Sequence, residues 1–351
     1  MVQEMNPRIL LVTTSLALSV LIGTVIARRG GTPEDGTRRA RPRPVIGLSL
    51  DTLKEERWQR DRDRFVAAAN RLGADVEVSE ANSDDKVQAQ GMNAFIGKRV
   101  DAIVIVPHDA KAMAQSVQAA RDAGIPVLSY DRLVADSDVS LYLSFENEKV
   151  GEQQAKYLLD HLSEGKGRII RLYGSKSDNN AHLFKKGQDR ILQPAIDRGD
   201  VKVIFEDWVQ DWKPENAKKI MNAAISSQGK EFEGVLVSND GTAGGVVQAM
   251  IEEGIAGKAV VTGQDADLAA CQRIMRGTQS MTIYKPLQVL AESAAAAAVK
   301  LARREVIVAT ASVNNGTHDV PAILSETIAV DKSNMLSTVV KDGFQPAEQL
   351  K

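Results

Sequence analysis

An α/β fold of two doubly wound parallel-sheet lobes joined by a multi-segment hinge is what this sequence predicts, on three observations. Short β-rich apolar runs alternate with helical patterns from Pro44 onward. The alternation restarts in the middle of the chain. A length of 351 residues also exceeds what one hydrophobic core usually serves. Such alternation makes βαβ units, and these close into a parallel sheet with helices on both faces.

In the first run, strands are expected at 45–50, 75–78, 102–106, 127–129 and 141–144. Between them, Trp58, Phe65, Ala69 and Leu72 recur at helical spacing, as do Val87, Gly91, Ala94 and Phe95, then Met113, Val117 and Ala120. Gly73 and Gly124 stand where helices should stop, and Pro126 forbids continuation. A helix carrying Ala155, Leu158, Leu159 and Leu162 opens the second run, with strands at 168–173, 201–205, 234–237, 259–262 and 281–283. The rhythm then breaks into an Ala-rich helix at 287–301, short strands at 311–313 and 326–330, and a small terminal helix. This reads as the chain crossing back to the first lobe and returning. The expected division is a signal peptide or anchor with linker at 1–44, a first lobe at 45–145 and 286–320, and a second lobe at 146–285 and 321–351.

A net charge of −2 gives no overall basic footprint for nucleic acid. The single Cys271 rules out an intramolecular disulfide, and the four His (His108, His161, His182, His318) lack the spacing of a structural metal site. No metal or cofactor is expected. Residues 9–27 are a mostly apolar run behind Arg8, with small residues Val25 and Ala27 placed for cleavage. The run predicts export, and its length also suits an uncleaved anchor. Absence of a nearby Cys excludes a lipoprotein. Residues 28–44, rich in Gly, Pro and Arg, read as a flexible linker.

In parallel sheets, ligands are met beyond the carboxyl ends of strands. The residues there form a consistent set: Arg57 and Trp58 after the first strand, then Asp131 and Arg132. Asp178 and Asn180 follow in the second run, then Trp212, Asn239, Asp265 and Lys285. Trp58 equally begins a buried helical stripe, and the pattern leaves both roles open. Asp240, Asp265 and Asp267 precede helices and suit N-caps, a role kept here for Asp267. Trp208 and Trp212 fall in one polar loop. Thr242, Gly244 and Gly245 match no phosphate-loop motif and read as close packing at a helix start. Carboxylates that take hydroxyl donors, cations and amides that donate to hydroxyl oxygens, and indoles that cover ring faces together suit a neutral, hydroxyl-rich ligand, a sugar.

Specific stretches carry a family resemblance from about residue 45 to 344. They are LKEERWQRDRD at 53–63, SYDRL at 129–133, SFENEKVGEQQAK at 144–156 and SDNNAHLF at 177–184. DWKPENAKKIM follows at 211–221, SNDGTAGG at 238–245, TGQDADLA at 262–269 and MTIYKP at 281–286. The chain resembles the D-xylose-binding branch of the pentose and hexose periplasmic binding proteins of bacterial ABC importers. The resemblance implies a type I periplasmic binding protein fold, a monomer and no enzymatic activity. It also implies a permease with its ATPase as membrane partner, and D-xylose or a related monosaccharide held by the ten residues just named, with Trp208 as packing. The Arg-rich linker and long apolar N-terminus depart from a simply secreted relative. Three other functions compete with this one. A glycosidase would place two carboxylates about a glycosidic bond; a sugar-responsive repressor would need an N-terminal helix-turn-helix; a sensory or chemoreceptor-linked ectodomain would share this fold and keep an anchor.

Overall fold

The structure is a computed structural model and describes residues 43–351. The expected signal or anchor segment lies outside the described residues, as does all of the linker before Arg43. Among the described residues no helix is long and apolar enough to cross a membrane.

In the first lobe, β1 (Val45–Leu50), α1 (Glu56–Arg71), β2 (Asp75–Glu80), α2 (Asp85–Lys98), β3 (Ala102–Ile105), α3 (Ala114–Asp122), β4 (Val127–Tyr130) and β5 (Leu141–Phe145) follow in order. The second lobe comprises α4 (Asn147–His161), β6 (Gly167–Tyr173), α5 (Asn179–Asp197), β7 (Val201–Trp208), α6 (Pro214–Gln228), β8 (Gly234–Val237), α7 (Asp240–Glu252), β9 (Val260–Val261), α8 (Leu268–Arg276) and β10 (Met281–Tyr284). The remainder is α9 (Leu287–Ala302), β11 (Ala311–Asn314), β12 (Asp319–Ser325) and β13 (Ile328–Asp331).

The first sheet has the order β11-β12-β5-β4-β3-β1-β2 and the second β7-β6-β8-β9. Both lobes therefore share a 2-1-3-4 core in which the first strand lies between the second and third. All their pairings are parallel apart from β11 with β12. Such sheets are covered on both faces, and β3 shows how one strand serves two cores. Val104 joins Ile46, Leu48, Phe65 and the α9 alanines on one side, while Ile103 and Ile105 join Met92, Phe95 and Val117 on the other. In the second lobe Ile170 and Leu172 face the core of α6 and α7, and Ile169 faces Leu158 and Leu192.

Two details differ from expectation. β12 is parallel to β5 in the first sheet, so the chain stays there to Ser325 and crosses later than residue 320. Its Pro321 and mixed polarity (DVPAILS) conceal it from a pattern search, yet Pro321 is accommodated opposite Ser312 of the hairpin strand β11. The terminal segment, expected with the second lobe, packs across the junction. Met335, Val339, Phe344 and Leu350 share a core with Trp58 and Cys271; Arg60 donates to the Phe344 carbonyl at 2.6 Å and Gln345 to the Ala266 carbonyl at 2.9 Å. The chain thus passes between lobes after β5, after β10 and after β12, three connections at one side of a cleft.

Candidate functional site

One cavity lies where the carboxyl ends of both sheets face each other. Its walls are Glu55, Arg57, Trp58, Asp131 and Arg132 from the first lobe, and Asp178, Asn180, Phe184, Trp212, Asn239, Gln264, Asp265 and Lys285 from the second. All ten residues singled out in the sequence are brought together here. Its volume is about 30 Å³, far below the roughly 300–1,000 Å³ of an open small-molecule site. A ring of sugar size therefore enters only if the lobes part or side chains move.

Arg57 is the hub. From the first turn of α1, its guanidinium donates to Asp131 at 2.8 Å, Asp61 at 3.1 Å and, across the cleft, Asp265 at 3.2 Å. Burial opposes its charge, but the three carboxylates outweigh that and push its pKa up. Burial likewise raises the Asp131 carboxyl, yet Arg57, Lys285 and Arg132 prevail and hold it at about 2. Asp61, buried beyond the cavity wall, is pushed up to about 6 because Arg57 only partly offsets its burial. Arg132 donates to Asp51 at 2.7 Å and lies 2.9 Å from Asp178. Asp51 in turn lies 2.9 Å from His108, so a charged chain runs from the cavity to the lobe edge. Lys285 is fully buried, 3.5 Å from Asp265 and over the rings of Phe145 and Phe184.

Trp58 takes the buried position of its helical stripe and also reaches the cavity: it is 3% exposed within the first-lobe core, and it lines the cavity with Arg57 stacked 4.0 Å from its ring. Trp212 forms part of the opposite wall, its indole N–H donating to Asp178 at 3.1 Å. Its ring lies over Gly174, where an added Cβ would fall 2.0 Å from Cη2, so only glycine lets the indole pack against this loop. Trp208 ends β7 rather than lying in a loop; it sits outside the cavity against Tyr173 and His182.

The backbone is strained at the same place. Asp131 (φ 60°), Asp265 (φ 98°) and Trp212 (φ 56°) occupy the left-handed region. Asp131 is held there by donors to its carbonyl: Ser144 at 2.6 Å, Tyr142 at 3.0 Å and, from the other lobe, Asn180 at 3.0 Å. Asn239 caps α7, its side-chain oxygen accepting from the Thr242 N–H at 2.9 Å, which leaves the amide NH₂ for the cavity. Asp178 caps α5 through the Asn180 N–H at 2.9 Å, and burial still raises its carboxyl.

Asp267 stands at the N-cap of α8 but makes no side-chain cap bond. Asp240 is already inside α7, and its carboxylate accepts from Gln279 and Thr282 at 2.8 Å each and from the Asp267 N–H at 3.1 Å. Gly245 packs against the Pro214 carbonyl, as expected of close helix packing rather than a phosphate loop. Three lining residues escaped the sequence reading. Glu55 lies two residues before Arg57, and Gln264 directly precedes Asp265. Phe184 is four residues beyond Asn180 and so on the same face of α5.

The profile of the family described as "Periplasmic binding protein domain" matches residues 46–305. The D-xylose-binding periplasmic protein of Haemophilus influenzae is 47% identical over 305 residues, 87% of this chain and 91% of that protein. The Escherichia coli protein of the same description is 45% identical, covering 87% and 92%. Among solved structures, a carbohydrate transporter solute-binding protein of Chloroflexus aurantiacus in complex with D-glucose superimposes with a TM-score of 0.80 at 33% identity, covering 87% of this chain and 97% of that one. Fold, sequence and cavity agree: this chain belongs to the periplasmic binding protein family, with the type I architecture.

Proposed function

We propose that this protein is an extracytoplasmic solute-binding protein that captures D-xylose between its lobes and delivers it to an ABC importer. The supporting observation is the convergence of Arg57, Trp58, Asp131, Arg132, Asp178, Asn180, Trp212, Asn239, Asp265 and Lys285 on one cavity walled by both lobes. Carboxylates and cations both line it, so the hydroxyls of a pyranose would meet acceptors and donors, and the two indoles, one from each lobe, would meet its apolar C–H groups. The two relatives named for D-xylose binding favour the pentose over other sugars. No side chain here plays a catalytic part: the cavity carboxylates are ion-paired or, at Glu55, offered to a hydroxyl.

In this reading the N-terminal segment directs export and is cleaved, the monomer works in the periplasm, and a permease with its ATPase receives the sugar. Uptake of labelled D-xylose in cells lacking this chain tests it. Uptake at low sugar concentration returns with the full chain and stays absent with Asp265→Ala. Equal uptake with and without the chain contradicts delivery.

A further inference from the structure

Three polar atoms on the cavity wall are buried and take no hydrogen bond among the described residues: Glu55 Oε2, Gln264 Oε1 and Arg57 Nε. Two are acceptors. Every other carboxylate of the wall has a cation close by, since Asp131 and Asp265 are bound by Arg57 and Asp178 by Arg132. Glu55 alone among the wall carboxylates is in no ion pair among the described residues. Gln264 is 3% exposed, and its backbone carbonyl is already engaged by the Asp240 N–H at 2.9 Å. A buried acceptor without a donor costs about as much as a lost hydrogen bond, so such atoms call for a partner.

We infer that Glu55 and Gln264 are two further sugar contacts, one from each lobe, each accepting a hydrogen bond from a hydroxyl of the captured pyranose. This rests on the sugar-binding reading above and deepens it. A hydroxyl is the fitting partner: it donates one hydrogen bond and is neutral, so it adds no charge to a wall whose three cations each already lie beside a carboxylate. Burial raises the Glu55 carboxyl, a cost that its own backbone N–H and Arg132 only partly offset and that a hydroxyl donor at Oε2 would relieve. Because the two acceptors sit on opposite lobes, both bonds form together only when the cleft is shut on the ligand, which ties recognition to closure.

Calorimetric titration of the full chain with D-xylose and with its 1-, 2-, 3- and 4-deoxy analogues provides the test, alongside Glu55→Ala and Gln264→Leu. Each substitution is expected to weaken D-xylose by about tenfold or more, and each should have no further effect on the one analogue that lacks its hydroxyl. Glu55→Met and Gln264→Met, closer in shape and without an oxygen acceptor, repeat the measurement if either first variant fails to fold. Unchanged xylose affinity in the variants, or equal weakening for every analogue, overturns the assignment while leaving the sugar site standing. No heat from any sugar with the unaltered chain overturns the sugar reading and this assignment together.

Discussion

Asp131 concentrates the chemistry of the site: a left-handed backbone pinned through its carbonyl, and a carboxylate shared between Arg57 and the cavity. A carboxyl held at about 2 rather than its ordinary value binds fewer protons folded than unfolded. Its stabilisation, on the order of 2 kcal/mol, is therefore complete above about pH 4 and lost as pH falls toward 2. Urea unfolding of the parent and Asp131→Asn should differ most near neutrality and converge only as pH falls toward 2. His108 has the opposite sign. Its hydrogen bond with Asp51 raises its pKa against burial, with Asp85 adding to the pull and Arg132 opposing it; Asp84 and Asp109 lie in the same field. Stability from that pair is full below the unfolded histidine value and fades as pH rises through the raised one. The gap in stability between the parent and His108→Phe should accordingly be larger at pH 6 than at pH 9. Gly174→Ala would drive a methyl into the Trp212 ring, so its sugar affinity should fall at least tenfold in calorimetric titration and its stability should drop by roughly 1–3 kcal/mol in urea unfolding. At this scale the sequence was informative because polar and aromatic residues at successive strand ends have one shared destination. Gln264 and Glu55 stayed hidden because nothing in a single chain shows which flanking side chain lacks a partner.

Among the elements, strands buried on both faces were the most legible. β1 and β8 have the bounds expected of them, since their residues are mostly apolar and end at an abrupt polar change. β12 was missed because its neighbours, not its own pattern, make it a strand: on one side it pairs with β5, whose residues come far earlier in the chain. The α4–α5 pair shows another contact that no local pattern announces. A Cβ at Gly151 would lie 2.0 Å from the Phe184 carbonyl oxygen, and one at Gly187 would lie 1.9 Å from that of Glu148, so the helices meet backbone to backbone at both points. Since α5 carries Asn180 and Phe184, this contact also sets the depth of one cavity wall. Gly151→Val should destabilise the protein by roughly 1–3 kcal/mol or more, read by thermal or urea unfolding, and should weaken sugar binding in the variant that remains folded.

For the whole molecule, the repeated 2-1-3-4 strand order and three crossings place two equivalent sheet ends face to face. The contacts across the cleft, Arg57 to Asp265, Arg132 to Asp178 and Asn180 to Asp131, are made by the residues that the proposal gives to the sugar. Ligand and closure therefore draw on one set of groups, and a sugar that binds only the folded form at a hundred times its Kd should add about 2.7 kcal/mol of stability. Two lobes were evident from repetition of βαβ units, whereas the bridging of the terminal segment through Phe344 and Gln345 depends on packing that sequence order does not reveal. The most direct measurement is calorimetry of the protein with D-xylose, D-glucose, L-arabinose and D-ribose, with Trp58→Ala and Asp265→Ala as controls. D-xylose should bind at about micromolar or tighter, near −8 kcal/mol, ahead of the other sugars and not at all in the controls. Absence of heat with all four sugars, or xylose binding that survives both substitutions, would contradict capture of the sugar in this cavity.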